Sequence, residues 1–271
     1  MAKFTENELN LIIDRLIELL CEENNQVSFE ELNLSKKNYS QKRQIFHSLF
    51  MTRRPAPLNP EFLRLQNELL TYENKNQNLV DVDNFEYTKN MTIYVGDIKT
   101  LKVDCIVVSC DGDLVGDFDP EDTSISSDII ATGGLQIRQE LSYIYSKQKK
   151  DEPCGGSKIV KGYNLLSDYV IFTVSPRIRY GRIGYNEKEN LVNCYKSSLD
   201  LAYSKGLKSI AFSCLSTGGR QYLKRLASEI AVSTVSRWLE DHKYPLKVVF
   251  CMNNEENLEH YRVNFIDYDI K

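Results

Sequence analysis

The sequence has little histidine: three residues in 271, His47, His242 and His260, beside a single tryptophan, Trp238. None of the three lies near a cysteine in sequence, which argues against a cysteine nucleophile, because that chemistry needs a positioned base. The seven cysteines include no C-x-x-C pair, and their odd number does not suggest a disulfide framework. Cys105, Cys214 and Cys251 fall within apolar runs, so buried thiols in a reducing compartment are expected. Positive charge is also short: 34 basic residues against 38 acidic ones leave a formal charge of −4. That balance lacks the field of a general nucleic-acid binder. No apolar run approaches the ~20 residues needed to span a bilayer. Residues 1–6 also lack the apolar core of a signal peptide. No membrane attachment and a cytoplasmic location are therefore expected. A hydrophobic share of 42% and a mean hydropathy of −0.40 describe an ordinary globular chain.

The pattern divides the chain at about residue 88. Residues 1–87 read as helical. Thr5 and Glu8 form a capping box, and Leu9, Ile12, Ile13, Leu16, Leu19 and Leu20 recur at helical spacing. A shorter helix is expected after Ser28, a third over 40–51, and a fourth over 60–73. Pro55, Pro57 and Pro60 break the chain between the last two. Residues 74–78 read as a linker or loop. From 88 to 271, strands are expected at 91–95, 104–109, 157–163, 169–174, 208–214 and 246–251. Helices are expected near 128–146, 186–205 and 221–242. Apolar strands alternating with helices imply a three-layer α/β/α fold with a mixed, largely parallel sheet. Ligands in such folds bind beyond the carboxyl ends of the strands.

Chemistry-bearing residues stand at those positions. Gly96-Asp97-Ile98 follows the first strand, and its aspartate is suited to accept from an exocyclic amine. Ser216-Thr217-Gly218-Gly219-Arg220 follows the strand at 208–214; small residues there let backbone N–H groups reach a phosphate at a helix start. Gly133-Gly134-Leu135 is a second glycine pair. With Val103–Val108 and the strand at 169–176, these pieces in this order resemble a macrodomain, the fold that binds ADP-ribose, over about residues 88–263. The resemblance implies that Asp97 and Ile98 place adenine, and that backbone groups of 216–220 and 133–135 place pyrophosphate. Residues 46–70 and 114–138 resemble the helical extension and loop of the zinc-dependent macrodomain hydrolases. In that family the loop carries a Cys-x4-His-x-Cys zinc site. The matching positions here are Asp117, Asp122 and Ser124, a set ill-suited to zinc, so no metal and no cofactor are expected.

Between Asp111 and Asp128 the chain carries seven acids and no Lys or Arg. Such a loop beside an apolar pocket would separate acid and base roles and accept a guanidinium in bidentate geometry. This resembles macrodomains that remove ADP-ribose from arginine. The expected activity is hydrolysis of arginine-linked mono-ADP-ribose, with Asp111, Asp119 and Asp128 as leading catalytic residues and Asp117 and Asp122 in reserve. ADP-ribose and mono-ADP-ribosylated proteins would be the partners of a monomeric enzyme. Three other readings are an inactive ADP-ribose-binding module, a hydrolase of O-acetyl or ester-linked ADP-ribose, and a Mg²⁺ site built from Asp117, Asp119 and Asp122.

Overall fold

The computed structural model describes residues 4–23, 27–252 and 254–268. Helix α1 (Glu6–Glu23) starts at the expected box: Glu8 N donates to Thr5 Oγ1 at 3.3 Å, and Thr5 N donates to the Glu8 carboxylate at 2.7 Å. The segment after Ser28 forms two 3₁₀ turns, Glu30–Leu32 and Leu34–Lys36, separated by Asn33 at φ +50°, so no α-helix forms there. Asn38 and Gln41 cap α2 (Tyr39–Thr52) reciprocally. Asn59 and Pro60 open α3 (Pro60–Lys75), where the proline's missing N–H costs nothing in the first turn.

Helix α3 runs into the stretch expected as a linker. Asn74 is buried, and its Nδ2 donates to the carbonyls of Thr132 (3.1 Å) and Asn164 (2.8 Å). The polar composition of residue 74 therefore serves a packed junction.

Two short strands, β1 (Val80–Asp81) and β3 (Leu101–Lys102), form a separate parallel pair. The main sheet contains β2 (Met91–Val95), β4 (Cys105–Cys110), β5 (Ser157–Lys161), β6 (Tyr169–Val174), β7 (Ser209–Phe212) and β8 (Lys247–Met252). Its order is β2-β8-β7-β4-β6-β5, parallel throughout except for β5 against β6. The strands expected at 157–163 and 208–214 are shorter than expected, Ser157–Lys161 and Ser209–Phe212.

The single helix expected over 128–146 is two, α4 (Ile125–Gly133) and α5 (Leu135–Gln148). Gly134 separates them at φ +111°, a conformation open to glycine alone without strain. Helices α6 (Tyr185–Ser204) and α7 (Lys224–His242) follow β6 and β7. An additional helix, α8 (Glu255–Asp267), closes the chain.

Alternation along the buried strands sorts the layers. Ile106 and Val108 of β4 pack with α1–α5, whereas Cys105 and Val107 pack with α6, α7 and α8. The N-terminal helices thus share one core with the sheet: Ile13, Leu16, Phe46, Phe50 and Phe62 lie in the same apolar cluster as Val170 and Phe172. We expect Leu16→Ala, at a fully buried position, to cost about 3 kcal/mol. A single calorimetric transition shifted downward would fit the shared core; an early separate transition would contradict it.

Trp238 is core, as expected, with its Nε1 donating to Asp200 at 2.8 Å. Five cysteines are buried, Cys214 is half-buried and Cys154 exposed; none forms a disulfide. Burial pushes the Cys214 thiol up to about 12, away from nucleophile range. Among the described residues, no helix is long and apolar enough to cross a membrane.

Candidate functional site

A cleft of about 980 Å³ opens at the carboxyl ends of the parallel strands. The loops after β2, β4, β6, β7 and β8 all contribute to it, through Asp97, Asp117, Arg177, Gly218 and Asn254 respectively.

The loop after β7 forms one wall. It does not run straight into a helix: α7 begins at Lys224, and Ser216 (φ +67°) and Gln221 (φ +59°) bend the chain before it. The phosphate cradle expected at a helix start is therefore a loop. Among the described residues, the backbone N–H groups of Gly218, Gly219 and Arg220 have no intramolecular partner. Three consecutive free donors leave this loop able to receive an anion. At both glycines an added Cβ would meet nothing within 4 Å, and neither has a left-handed φ. The protein's own packing thus gives no reason for two glycines, whereas close approach of a ligand to the backbone would.

Arg220 lines the cleft, but its guanidinium is occupied. It donates to the carbonyls of Ser175 (2.8 Å) and Cys110 (2.6 Å) and to Asp111 Oδ1 (2.7 Å). It ties the ends of β4 and β6 to the β7 loop. Gly133, Gly134 and Leu135 stand outside the cleft, contrary to the pyrophosphate role expected of them. They form the α4–α5 junction against α3, where Leu135 N donates to the fully buried Gln66 and Gly134 N donates to Ile130. Their donors are committed to the fold.

Gly96, Asp97 and Ile98 lie at the other end of the cleft. Asp97 Oδ1 caps the short 3₁₀ turn Ile98–Thr100 by accepting from Lys99 N at 2.9 Å, leaving the carboxylate half exposed. A Cβ at Gly96 would meet the far end of the Tyr94 side chain, which would have to shift.

The loop after β4 forms the acidic wall. Asp111, Asp117, Asp122 and Asp128 line the cleft; Asp119 does not. Asp119 is exposed and accepts from Glu121 N within its own turn, at 2.9 Å. Of the other four, Asp111 pairs with Arg220 and lies 3.7 Å from Arg177. Asp128 pairs with Lys99 at 2.6 Å. Burial lowers the Lys99 pKa, but the hydrogen bonds and charges of Asp128 and Asp97 together outweigh burial and raise it. Asp122 accepts from the Ser124 N–H and the hydroxyls of Ser124 and Ser127 at the start of α4. Burial raises the Asp122 pKa, yet the three hydrogen bonds from Ser127 and Ser124 together outweigh burial and hold it below the usual carboxylate range. Among the described residues, the Asp117 carboxylate has no hydrogen-bond or ion-pair partner.

The residues matching the zinc positions do not fit that ion. Asp117, Asp122 and Ser124 offer neither sulfur nor imidazole, and the Asp122 oxygens are taken, Oδ1 by the Ser124 N–H and Oδ2 by the Ser124 and Ser127 hydroxyls. Nor do Asp117, Asp119 and Asp122 converge as a Mg²⁺ site requires: among the described residues, no group of three His, Cys, Asp or Glu could hold a metal.

Asp113, half-buried behind this wall, has one carboxylate oxygen without a partner. Burial, then the charges of Asp111, Asp117 and Asp151, push its pKa up. A raised carboxyl pKa makes ionisation cost stability above the folded value, and the cost disappears as pH falls. Asp113→Asn should therefore raise the melting temperature at pH 7 by on the order of 1–2 °C, with the gain shrinking toward pH 4. Thermal melts at both pH values check this, and an equal gain at both would contradict it.

Lys224, Asn254 and Asn257 also line the cleft and carried no expectation. The available signal was their position just beyond strands β7 and β8; the helix that presents Asn257 has too weak an apolar period to be read.

A three-layer sheet domain with an anion-receptive loop beyond its central strands defines the class. Residues 109–231 match the Macro domain family model. A protein-ADP-ribose hydrolase of Staphylococcus aureus (strain MRSA252) is 34% identical over 224 residues, covering 82% of this chain and 84% of that protein. One from Treponema medium is 35% identical over 218 residues, covering 79% and 83%. The chain belongs to the macrodomain family. Among solved structures, a mutant Oceanobacillus iheyensis macrodomain with ADPR superposes with a TM-score of 0.60 at 26% identity, covering 66% of this chain and 93% of that one.

Proposed function

We propose that this protein is a hydrolase that releases mono-ADP-ribose from modified arginine, without a metal. The observation that carries the reading is the cleft's two-sided character: three free backbone donors on one wall and four carboxylates on the other. Its hydrolase relatives over four-fifths of the chain support the general activity. The pyrophosphate would take the Gly218–Arg220 donors, and adenine would lie toward Asp97 and Ile98.

Asp117, the carboxylate without a partner, is suited to act as base. It would take a proton from the water that attacks the ribose C1″ atom. The C1″–N bond then breaks with its electron pair going to the guanidino nitrogen, and the neutral guanidine recovers a proton from Asp117. Asp111, already held by Arg220 and Arg177, and Asp128, held by Lys99, would orient the ribose hydroxyls and the departing group. A pure reader would gain little from such negative charge beside an anionic ligand.

The test follows release of free ADP-ribose from proteins modified at arginine, serine or glutamate, with and without chelator. Release from arginine alone, unaffected by chelator, is expected. Release from another linkage overturns the specificity, and loss on chelation overturns the metal-free mechanism. Binding of ADP-ribose with no release from any substrate would make the protein a binding module.

A further inference from the structure

The acidic wall belongs to a loop with no regular structure between Asp111 and Ser124, so something must hold it against the cleft. The anchor lies behind it. Arg138 of α5 is 1% exposed, and among the described residues no carboxylate pairs with its guanidinium. Its three hydrogen bonds all go to main-chain carbonyls: Nη1 to Met51 (2.8 Å) and Arg53 (3.1 Å), and Nη2 to Asp117 (3.3 Å). The next residue, Phe118, lies under two guanidiniums, with Arg138 at 4.9 Å and Arg54 at 5.2 Å from its ring centroid.

A buried cation without a counter-ion is costly. Burial and the neighbouring Arg53 lower the Arg138 pKa to about 10. An apolar side chain of similar volume would fill the space without that cost. What it could not do is join the end of α2, helix α5 and the backbone of Asp117. The planar fork reaches all three at once; an ammonium, a single point of charge, does not.

We infer that Arg138 and Phe118 form a positioning device that fastens the acidic loop to the N-terminal helices and so holds Asp117 at the cleft. This rests on the hydrolase reading above. It assigns residues 51–54 a part in turnover although none of them lines the cleft.

The test uses the full chain with Arg138→Lys and, separately, Phe118→Leu. Turnover, ADP-ribose affinity and amide exchange are measured for wild type and both variants. We expect kcat to fall about tenfold or more while KM and ADP-ribose affinity stay within about threefold. Amides of residues 112–124 should exchange faster, with sheet amides unchanged. Should Arg138→Lys fail to fold, Phe118→Leu alone decides. A kcat within about twofold of wild type in the folded variants overturns the inference, as does affinity lost in step with kcat. Absence of turnover in wild type instead overturns the hydrolase reading, and is told apart by that control.

Discussion

Asp117→Asn is expected to lower kcat on arginine-linked ADP-ribose by about 10²–10³-fold, because a general base of this kind contributes on that scale. The neighbouring changes should grade as the contacts do. Asp111→Asn and Asp128→Asn should each fall less, about tenfold, since Arg220 and Lys99 already share those carboxylates and an amide retains one acceptor oxygen. Asp119→Asn should be indistinguishable from wild type, because that side chain caps a turn away from the cleft. ADP-ribose affinity should hold throughout. Single-turnover kinetics beside binding titrations separate these outcomes. Loss of activity in Asp119→Asn with Asp117→Asn unaffected would reverse the assignment.

Gly218→Val should abolish measurable ADP-ribose binding, a loss of about 100-fold or more, while the melting temperature stays within about 2 °C. The two halves rest on one observation. The Cβ position at Gly218 is open, so the folded chain tolerates the substitution. The same open space lies beside three free N–H groups, where a branched side chain would keep a pyrophosphate from reaching them. Gly134→Val is the contrast. There φ is +111° and a Cβ would meet Gln136, Gln66 and Asn164 at 2.6–3.0 Å, so the fold should suffer first. Calorimetry of both variants, with and without ADP-ribose, checks this. Retained binding in Gly218→Val would remove the loop from the ligand site.

These contrasts show where the sequence is legible. The two glycine pairs look alike as strings, yet one lines a cleft and the other a helix junction. The difference lies in Gln66 and Asn164, partners about 70 and 30 residues away, which no local pattern reveals. The middle of the sheet was readable because β4, β6, β7 and β8, buried on both faces, show as near-continuous apolar runs. The capping box at Thr5 and the proline break were readable because their causes are local. Asp117 lines the cleft and Asp119 does not, a difference the sequence hides because acid spacing in an irregular loop does not encode direction. Arg138 passed unnoticed because its acceptors are main-chain carbonyls, and a carbonyl has no sequence signature. The polar stretch after α3 misled for the related reason that asparagine suits both a solvated turn and a buried amide network.

The sheet order has a consequence for synthesis. Strand β8 sits between β2 and β7, so among the described residues the strand made first in this sheet finds its one ladder neighbour in the strand made last. Until residues 247–252 leave the ribosome, β2 has no ladder partner and the flank of β7 is an open edge. Chain growth alone therefore cannot fold this protein piece by piece from its start. Once β7 (Ser209–Phe212) is made, the sheet has a slot that only β8 (Lys247–Met252) fills, and joining β2 to it through β8 is a late, long-range event of the kind that sets slow folding rates.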